Sequence, residues 1–329
     1  MIFNSHDDEG RTAVALHRLN QITVGVPDVA AAGAYYRDFG LTDASSGATM
    51  DSALTLATVD GGEQLRIVQS NHRKLVELRI GADEPDDIDR IAGSLARLDI
   101  PSERSIDSIR AIDPGTELAV IVEVAPPISQ GPTPTPSYNA PGVPARAGSR
   151  APGIERAEAV KPRKLGHVVV GSTDQPGSQR FFGEGLGLKI SDQVPGLAAF
   201  MRCSTDHHNV LVQKAPVAFL HHTAWEVNDV DDVGRGAMAM LEDHPERHVW
   251  GLGRHHVGSN FFWYLKDPAG NFSEYYSDLD CIVDDALWRP GVWTGMHSLY
   301  NWGQPPPPSF LEPDDLAALM TGAHAPAST

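Results

Sequence analysis

The chain has 329 residues, of which 41% are hydrophobic and 21% charged, a composition typical of soluble globular proteins. This length suits two domains better than a single core. The formal net charge of −17, from 43 acidic and 26 basic residues, repels phosphate backbones and so disfavours nucleic acid as a partner.

The sequence also lacks the marks of a membrane or secreted protein. No segment approaches the roughly 20 consecutive apolar residues that a membrane helix requires. The first residues, MIFNSHDDEGRT, contain neither a basic patch nor an apolar run. Cys203 and Cys281 form no CxxC pair, which argues against a structural zinc knuckle and fits a reducing compartment. We therefore expect a cytoplasmic protein with no membrane partner.

The predicted elements occur twice in the same order. An apolar strand at 19–26 precedes a helix with paired aromatics (AAAGAYYRDFGL), short β-rich runs, a strand and acidic helix start at 75–98, and a last strand (DPGTELAVIVEV). The same series begins again at 165–172 and continues through PGSQRFFGEGLGL and HHTAWEVNDVDDVGRGAMAMLED to DPAGNFSEYYSD. Such a repeat indicates a duplicated module. We predict an α+β fold of two tandem modules, each of paired βαβββ units that form a half-open barrel.

A Pro-rich stretch lies between the two repeats. Residues 125–163 contain nine prolines and little apolar periodicity, which is typical of an extended connector. We therefore predict an N-terminal module at 1–125, a linker at 126–163, a C-terminal module at 164–303 and a tail at 304–329. Four aromatic residues near the end of the second module either form a lid over a pocket or, as we favour, simply pack on the domain. They are Trp288, Trp293, Tyr300 and Trp302.

Three side chains that can bind metal lie on predicted strands of the second repeat. His167, His222 and Glu274 occupy positions where apolar residues would otherwise be expected. Strand alternation places His222 on one face of its strand and His221 on the other. Two imidazoles and one carboxylate from separate strands can form the facial triad of non-haem Fe(II) enzymes, which leaves adjacent coordination positions open.

The first repeat provides an internal comparison for this set. Its predicted counterpart of His167 is Gln21. The counterparts of the other two ligands fall near Leu75 and near Ala119 or Val120. Because these residues form no comparable set, we expect a metal site in the second module and none in the first.

The stretch GRHHVGSNFFWYLKDPAGNFSEYYSD, residues 253–278, resembles the signature of the type I extradiol ring-cleavage dioxygenases of the vicinal-oxygen-chelate (glyoxalase/bleomycin-resistance/dioxygenase) superfamily. The matching elements are His255, Tyr264 beside Leu265, the run DPAG at 267–270, and Glu274. With LGHVVV and LHHTAWEV in the same order upstream, the resemblance covers about residues 16–303 and is strongest in the second half.

The resemblance implies the ligands of the metal and the residue that moves protons. His167, His222 and Glu274 match the ligands of Fe(II), and the same ligand types accept Mn(II). His208, the second histidine of the pair 207–208, matches the acid–base residue beside the oxygen site.

Further positions match the surroundings of the substrate. His255 and Tyr264 match groups that hydrogen-bond the substrate oxygen. Val169 and Phe200 fall where family members line the oxygen pocket, or else pack as ordinary core residues. Trp250 stands where members acting on carboxylated catechols often have arginine, which argues against an anionic substituent on the substrate.

The implied activity is insertion of both atoms of O2 into a catecholic ring next to the diol, which gives a muconic semialdehyde-type product. The expected partners are a catechol and O2, and the family habit is a homo-oligomer. Two alternatives stay open. Another metal-dependent enzyme of the superfamily, such as a glyoxalase-like isomerase, usually lacks matches to His208, His255 and Tyr264. A non-catalytic small-molecule binding protein generally lacks the metal triad.

Overall fold

The computed structural model describes residues 14–44, 53–134, 136–295 and 298–321. Two mixed β-sheets with interspersed helices form these parts of the chain, which confirms the predicted α+β class. Each sheet contains two βαβββ units whose first strands pair antiparallel at the centre of the sheet. Within the described ranges, no helix combines the length and the apolar character needed to cross a membrane.

The first sheet has eight strands. They are β1 (Leu16–Val26), β2 (Thr42–Asp43), β3 (Leu54–Thr58), β4 (Gly62–Gln69), β5 (Lys74–Ala82), β6 (Ser102–Arg104), β7 (Ser108–Asp113) and β8 (Leu118–Val124), in the order β2-β3-β4-β1-β5-β8-β7-β6. Helices α1 (Val29–Asp38) and α2 (Pro85–Arg97) connect them. The Asp28 carboxylate caps α1 by accepting the Ala31 N–H. Pro85 begins α2, where the absence of an N–H costs nothing.

The second sheet has nine strands. They are β9 (Lys164–Ser172), β10 (Lys189–Val194), β11 (Ala198–Arg202), β12 (Val210–Lys214), β13 (Phe219–Glu226), β14 (His248–Arg254), β15 (Phe261–Lys266), β16 (Phe272–Ser277) and β17 (Gly291–Val292). Their order is β14-β15-β16-β13-β9-β12-β11-β10-β17. The remaining α-helices are α3 (Pro152–Glu155), α4 (Gln175–Arg180), α5 (Val230–Leu241), α6 (Pro308–Leu311) and α7 (Leu316–Thr321). A π-helical turn (Phe181–Gly185) extends α4, and a 3-10 turn (Pro245–Arg247) precedes β14.

Helix α1 of the first half packs on strand β16 of the second. The rings of Phe39 and Tyr275 stack with centroids 3.8 Å apart, and the Tyr275 hydroxyl donates to the Phe39 carbonyl at 2.7 Å. Tyr35 and Ser273 share a hydrogen bond of 2.5 Å. Because side chains alternate along a strand, Ser273 and Tyr275 face α1 while Glu274 between them faces the opposite side. The first module therefore supports the strand that carries one candidate ligand.

The segment at 126–163 contains α3 and otherwise little regular structure within its described part. The Gln130 amide donates to the Glu226 carboxylate at 2.7 Å, and Arg156 bonds to Asp229 and Asp232 on the second half. The division of the chain at residues 125, 163 and 303 stays a prediction.

Strand register corrects the predicted counterpart of Glu274. Glu274 pairs with Ala224 of β13, and Ala224 also pairs with His167. In the first sheet, Ile121 pairs with Arg79 of β5, and Arg79 also pairs with Gln21. Ile121 is thus the counterpart, and the assignments to Ala119 and Val120 were wrong. A shift of one residue along a strand moves a side chain to the other face. Comparing the two repeats without gaps therefore could not identify the residue equivalent to Glu274.

The predicted counterpart of His222 was also wrong. His222 lies two residues before Ala224, the partner of His167. In β5, the residue two before Arg79, the partner of Gln21, is Glu77 rather than Leu75. Both repeats carry a bulge at this point, because β5 has Val76 as an extra residue where β13 has His221.

Candidate metal centre and active site

Three adjacent strands bring the predicted ligands together. His167 lies on β9, His222 on β13 and Glu274 on β16, and all three side chains are buried. Glu274 Oε2 is 3.1 Å from His167 Nε2 and 3.6 Å from His222 Nε2. One ligand atom from each residue lies within 4.8 Å of the others. Neighbouring ligands about 2.1 Å from one ion are about 3 Å apart, so the two distances from the carboxylate oxygen to the imidazoles are close to those of neighbouring octahedral positions.

The second oxygen of the carboxylate is held by an amide. Asn260, fully buried, donates from Nδ2 to Glu274 Oε1 at 3.0 Å. This bond leaves Oε2 directed at the imidazoles, the arrangement by which outer residues orient a metal ligand. Sequence reasoning missed Asn260, because an asparagine after Gly-Ser reads most simply as a turn residue.

Gly166 allows the strands around His167 to approach closely. A Cβ atom at position 166 would lie 1.8 Å from the Tyr276 hydroxyl oxygen. The Tyr276 ring lies beside that of His167, with centroids 5.4 Å apart. The glycine that precedes the candidate ligand is therefore required by packing against β16 rather than by backbone conformation.

His221 departs from the strand alternation that the sequence predicts. The bulge between Leu220 and His222 makes His221 the extra residue of β13, and both histidines line one cavity. Their Nδ1 atoms are 2.7 Å apart, and His221 Nε2 lies 2.7 Å from the Phe310 carbonyl oxygen. The prediction that the two imidazoles face opposite sides was wrong.

These contacts fix which nitrogen of His222 carries a hydrogen. A carbonyl oxygen only accepts, so His221 Nε2 must donate to Phe310 and His221 Nδ1 must accept. His222 Nδ1 is then the donor, and the lone pair of His222 Nε2 is directed toward Glu274. His222 is held in the tautomer that a metal ligand needs.

Burial keeps the site histidines neutral. Desolvation, reinforced by the neighbouring imidazoles, lowers the pKa of His222 and of His208 well below the ordinary value. Burial likewise lowers the pKa of His221 to about 4. Neutral imidazole is the form that binds a metal ion, so His222 needs no deprotonation at neutral pH.

A small cavity of about 80 Å³ opens beside these ligands. It is lined by the other residues that the sequence singled out: Val169, Phe200, His208, His255 and Tyr264. The His208 ring lies 4.2 Å from that of His167 between centroids. Sequence reasoning missed the remaining wall, which is formed by Leu211, Gln213, Val257, Ser298, Leu299 and Phe310.

His255 and Tyr264 form a hydrogen-bonded pair on the cavity wall. His255 Nδ1 donates to the Leu299 carbonyl at 2.5 Å, so His255 Nε2 accepts from the Tyr264 hydroxyl at 2.8 Å. Burial lowers the pKa of His255 and raises the pKa of Tyr264 well above its ordinary value. The Tyr264 oxygen therefore keeps its hydrogen and has lone pairs left to accept from a ligand.

The C-terminal tail closes one side of the cavity. Phe310 on α6 lies 4.7 Å from Tyr264 and 4.8 Å from His221 between ring centroids. Arg73 from the first module bonds to Asp315 through Nε and Nη2, at 2.6 and 2.8 Å, and to the Leu220 carbonyl at 2.6 Å. None of the four aromatic residues from 288 to 302 is among the described residues that line the cavity, whereas Ser298 and Leu299 of the same segment are, and the role of these aromatic residues stays a prediction.

Comparison with known proteins finds a family match in the second half of the chain and a relative similar over nearly its whole length. The Glyoxalase/Bleomycin resistance protein/Dioxygenase superfamily matches residues 164–275. Metapyrocatechase 2 of Cupriavidus necator is 32% identical over 310 residues, which cover 90% of this chain and 92% of that protein. The chain belongs to the extradiol dioxygenases of this superfamily.

The fold of this extradiol dioxygenase is shared with solved structures. Homoprotocatechuate 2,3-dioxygenase from Arthrobacter globiformis aligns with a TM-score of 0.72 and 18% identity, covering 91% of this chain and 92% of that one. The Mn(II)-bound glyoxalase from Novosphingobium aromaticivorans aligns with a TM-score of 0.71 and 23% identity, covering 90% and 93%. At these identities the likeness shows the two-module fold alone.

Proposed function

We propose that this extradiol dioxygenase opens a catecholic ring next to the diol, inserts both atoms of O2 and releases a muconic semialdehyde-type product. One observation carries the proposal. One cavity is lined by His167 and His222, whose ligand atoms lie close to a carboxylate oxygen of Glu274, and by three further polar side chains. Those side chains belong to His208, His255 and Tyr264.

The proposed metal is Fe(II), held by His167, His222 and Glu274. The donor set supports an ion of this kind: two neutral imidazoles, one carboxylate oxygen, and a spacing that suits neighbouring octahedral positions. Mn(II) accepts the same ligands. When bound, the ion supplies a Lewis acid that lowers the pKa of a catechol hydroxyl and brings the diol and O2 together.

His208 would move protons on the oxygen side of the ring. It is buried, lines the cavity and stays neutral, so it can take a proton from the substrate and return it as the ring opens. A well-placed acid–base residue contributes roughly 10²–10⁴-fold to a rate.

His255 and Tyr264 would orient the diol. Since the Tyr264 hydroxyl donates to His255, its oxygen can accept a hydrogen bond from a catechol hydroxyl that retains its hydrogen. Because His255 Nδ1 donates to the Leu299 carbonyl, His255 Nε2 is the acceptor, and this fixes the direction of its hydrogen bond with Tyr264. Asn260 holds the Glu274 carboxylate by a hydrogen bond and does not line the cavity. The donors and acceptors that would contact the diol are therefore oriented before it binds.

The cavity favours a small, uncharged catechol. Within the described part of the chain, its lining contains no lysine or arginine. Trp250 is buried against Tyr264 and Phe310 and donates to the Gln304 carbonyl. Burying a carboxylate without a cationic partner costs several kcal/mol, or at least roughly 100-fold in affinity. We therefore infer catechol or alkylcatechols as substrates rather than carboxylated catechols.

The decisive experiment is an oxygen-labelling assay. Protein purified anaerobically and loaded with Fe(II) should give a yellow ring-opened product from catechol and 3-methylcatechol, with ¹⁸O from ¹⁸O2 in its new carboxylate, and little product from 3,4-dihydroxybenzoate. A parallel sample loaded with Mn(II) identifies the more active metal. Absence of ring-opened product across the panel, or a ring-opened product with no ¹⁸O in its new carboxylate, would overturn the proposal. The aldehyde oxygen is not scored, because it exchanges with water.

We also infer a cytoplasmic homo-oligomer. The two cysteines are unpaired, which supports a reducing compartment. The oligomeric state rests on the family resemblance. Light scattering on the eluate of a size-exclusion column tests it: a mass near 35.4 kDa would mean a monomer and contradict the inference.

A further inference from the structure

A second pair of adjacent histidines extends away from the cavity. His207 is fully buried and is not among the residues that line the cavity, whereas its neighbour His208 is. The Nδ1 atoms of the two rings are 3.1 Å apart. On its far side, His207 Nε2 lies 3.3 Å from Asp192 Oδ2 on strand β10. Three side chains thus form a row from Asp192 through His207 to His208.

The charge of Asp192 determines which nitrogen atoms of His207 and His208 carry a hydrogen. Burial by itself would raise the pKa of Asp192, but the facing His207 ring and hydrogen bonds from Gly291 and Trp293 outweigh it and hold the pKa below the ordinary value. The carboxylate is therefore ionised at neutral pH and only accepts hydrogen bonds. The contact between His207 Nε2 and Asp192 Oδ2 is 3.3 Å long and lacks the alignment of a hydrogen bond, but this carboxylate would repel a lone pair on Nε2. His207 Nε2 therefore carries the hydrogen, and His207 Nδ1 accepts from His208 Nδ1–H.

We propose that Asp192 and His207 are positioning residues that fix His208 in the Nδ1–H tautomer, with the lone pair of Nε2 available to the substrate. The proposal rests on the acid–base role proposed above for His208. In the opposite tautomer, His208 would present a hydrogen where the reaction needs a proton acceptor. The arrangement parallels the Phe310 carbonyl, His221 and His222, where an outer histidine also fixes the hydrogen of an inner one.

Asp192→Asn tests this assignment of the hydrogens. The substitution is made together with Trp293→Phe, because Trp293 Nε1 donates to the Oδ2 atom that faces His207. The asparagine oxygen then stays on the Gly291 N–H and its nitrogen faces His207. That nitrogen donates to His207 Nε2, His207 Nδ1 donates to His208 Nδ1, and His208 Nε2 acquires the hydrogen. We expect kcat to fall by about 10–10³-fold, within the range of acid–base contributions, while KM for catechol and metal content change less than about threefold.

A matched control separates this effect from loss of structure. Asp192 also accepts from Gly291 N at 2.5 Å and from Trp293 Nε1 at 2.9 Å, which anchors β17. Trp293→Phe removes one anchoring bond and leaves His207 untouched, so kcat should stay within about threefold of wild type. If Trp293→Phe alone lowers kcat as much as the double variant does, Asp192 only anchors the chain and the proposal is wrong.

A pair of substitutions at His207 tests the proposal without changing Asp192. In His207→Asn, the amide oxygen can occupy the place of Nδ1 and accept from His208, so most of kcat should be retained. His207→Phe offers no acceptor and should lose at least about tenfold in kcat with KM preserved. Equal activity of the two variants would contradict the proposal.

Nitrogen spectroscopy reads the tautomer independently of turnover. Histidine ¹⁵N–¹H correlation spectra of the metal-free protein, with the signals of His208 identified by their loss in His208→Phe, should show Nδ1–H in wild type and Nε2–H in the double variant. The same tautomer in both proteins would overturn the proposal. If wild type cleaves no catechol, the proposed function fails, whereas the spectra still decide the tautomer.

Discussion

The ion pair between Arg73 and Asp315 should hold the tail over the cavity. The Arg73 side chain is only 2% exposed, and Asp315 on the tail is 33% exposed. Asp315→Ala removes two charge-assisted hydrogen bonds and leaves a buried guanidinium with two neutral acceptors, the Leu220 carbonyl and the Asn271 amide oxygen.

The structure sets the size of the effect. Removing one partner of a fully buried ion pair costs about 3–5 kcal/mol. Water reaches Asp315, which reduces the loss, so we expect Asp315→Ala to lower the free energy of unfolding by about 2–3 kcal/mol, equivalent to roughly 30–150-fold in the unfolding equilibrium. Because Phe310 on the same segment forms part of the cavity wall, KM for catechol should rise as well.

The adjacent residue supplies the control. Asp314 lies 3.7 Å from Lys266, and the two side chains are 75% and 41% exposed. An exposed pair of this kind contributes less than about 0.5 kcal/mol, so Asp314→Ala should behave as wild type. Urea denaturation followed by fluorescence measures both variants. If Asp314→Ala and Asp315→Ala agree within about 0.5 kcal/mol, the reasoning about the buried cation is refuted.

Three further predictions concern the metal centre. Glu274→Gln should lower iron content at least about tenfold by elemental analysis, whereas Glu226→Gln on the neighbouring strand should retain it; equal iron in both would contradict the ligand assignment. Gly166→Ala places a methyl group against the Tyr276 hydroxyl and should weaken Fe(II) binding about 10–100-fold in an anaerobic titration, with partial recovery in combination with Tyr276→Phe. Treatment with a chelator should lower Tm, since an ion at 100 times its Kd adds about 2.7 kcal/mol to stability; an unchanged melting curve would show that no ion is coupled to folding.

The sequence predicted the fold class because the duplicated order of strands and helices is a local pattern. Apolar runs, paired aromatics and Gly-Leu stops recur in both halves and correspond to four βαβββ units. The three candidate ligands were predicted by the same means, since His167, His222 and Glu274 break an otherwise apolar strand pattern. The structure brings one ligand atom of each residue within 4.8 Å of the other two.

Strand bulges limited what alternation could predict. A single extra residue in β13 turns His221 to the same side as His222, where it fixes the tautomer of the ligand. No periodicity reveals a bulge in a short apolar strand, because a run of buried residues has no polar face to fix its register.

Contacts between distant segments were beyond sequence reasoning. Phe310 lies in a short tail helix that reaches the cavity only because Arg73, far away in the chain, binds Asp315. Asp192 and His207 meet across a loop between different strands. Each of these residues taken alone reads as a surface charge, an ordinary aromatic or a structural histidine, and their roles follow only from three-dimensional proximity.

A crystal structure of the protein reconstituted anaerobically with Fe(II) tests the central claim most directly. We expect one ion bound by His167 Nε2, His222 Nε2 and a Glu274 oxygen, each about 2.0–2.3 Å away, with positions open toward the cavity. An ion bound elsewhere, or any of the three side chains beyond about 2.5 Å from it, would contradict the account.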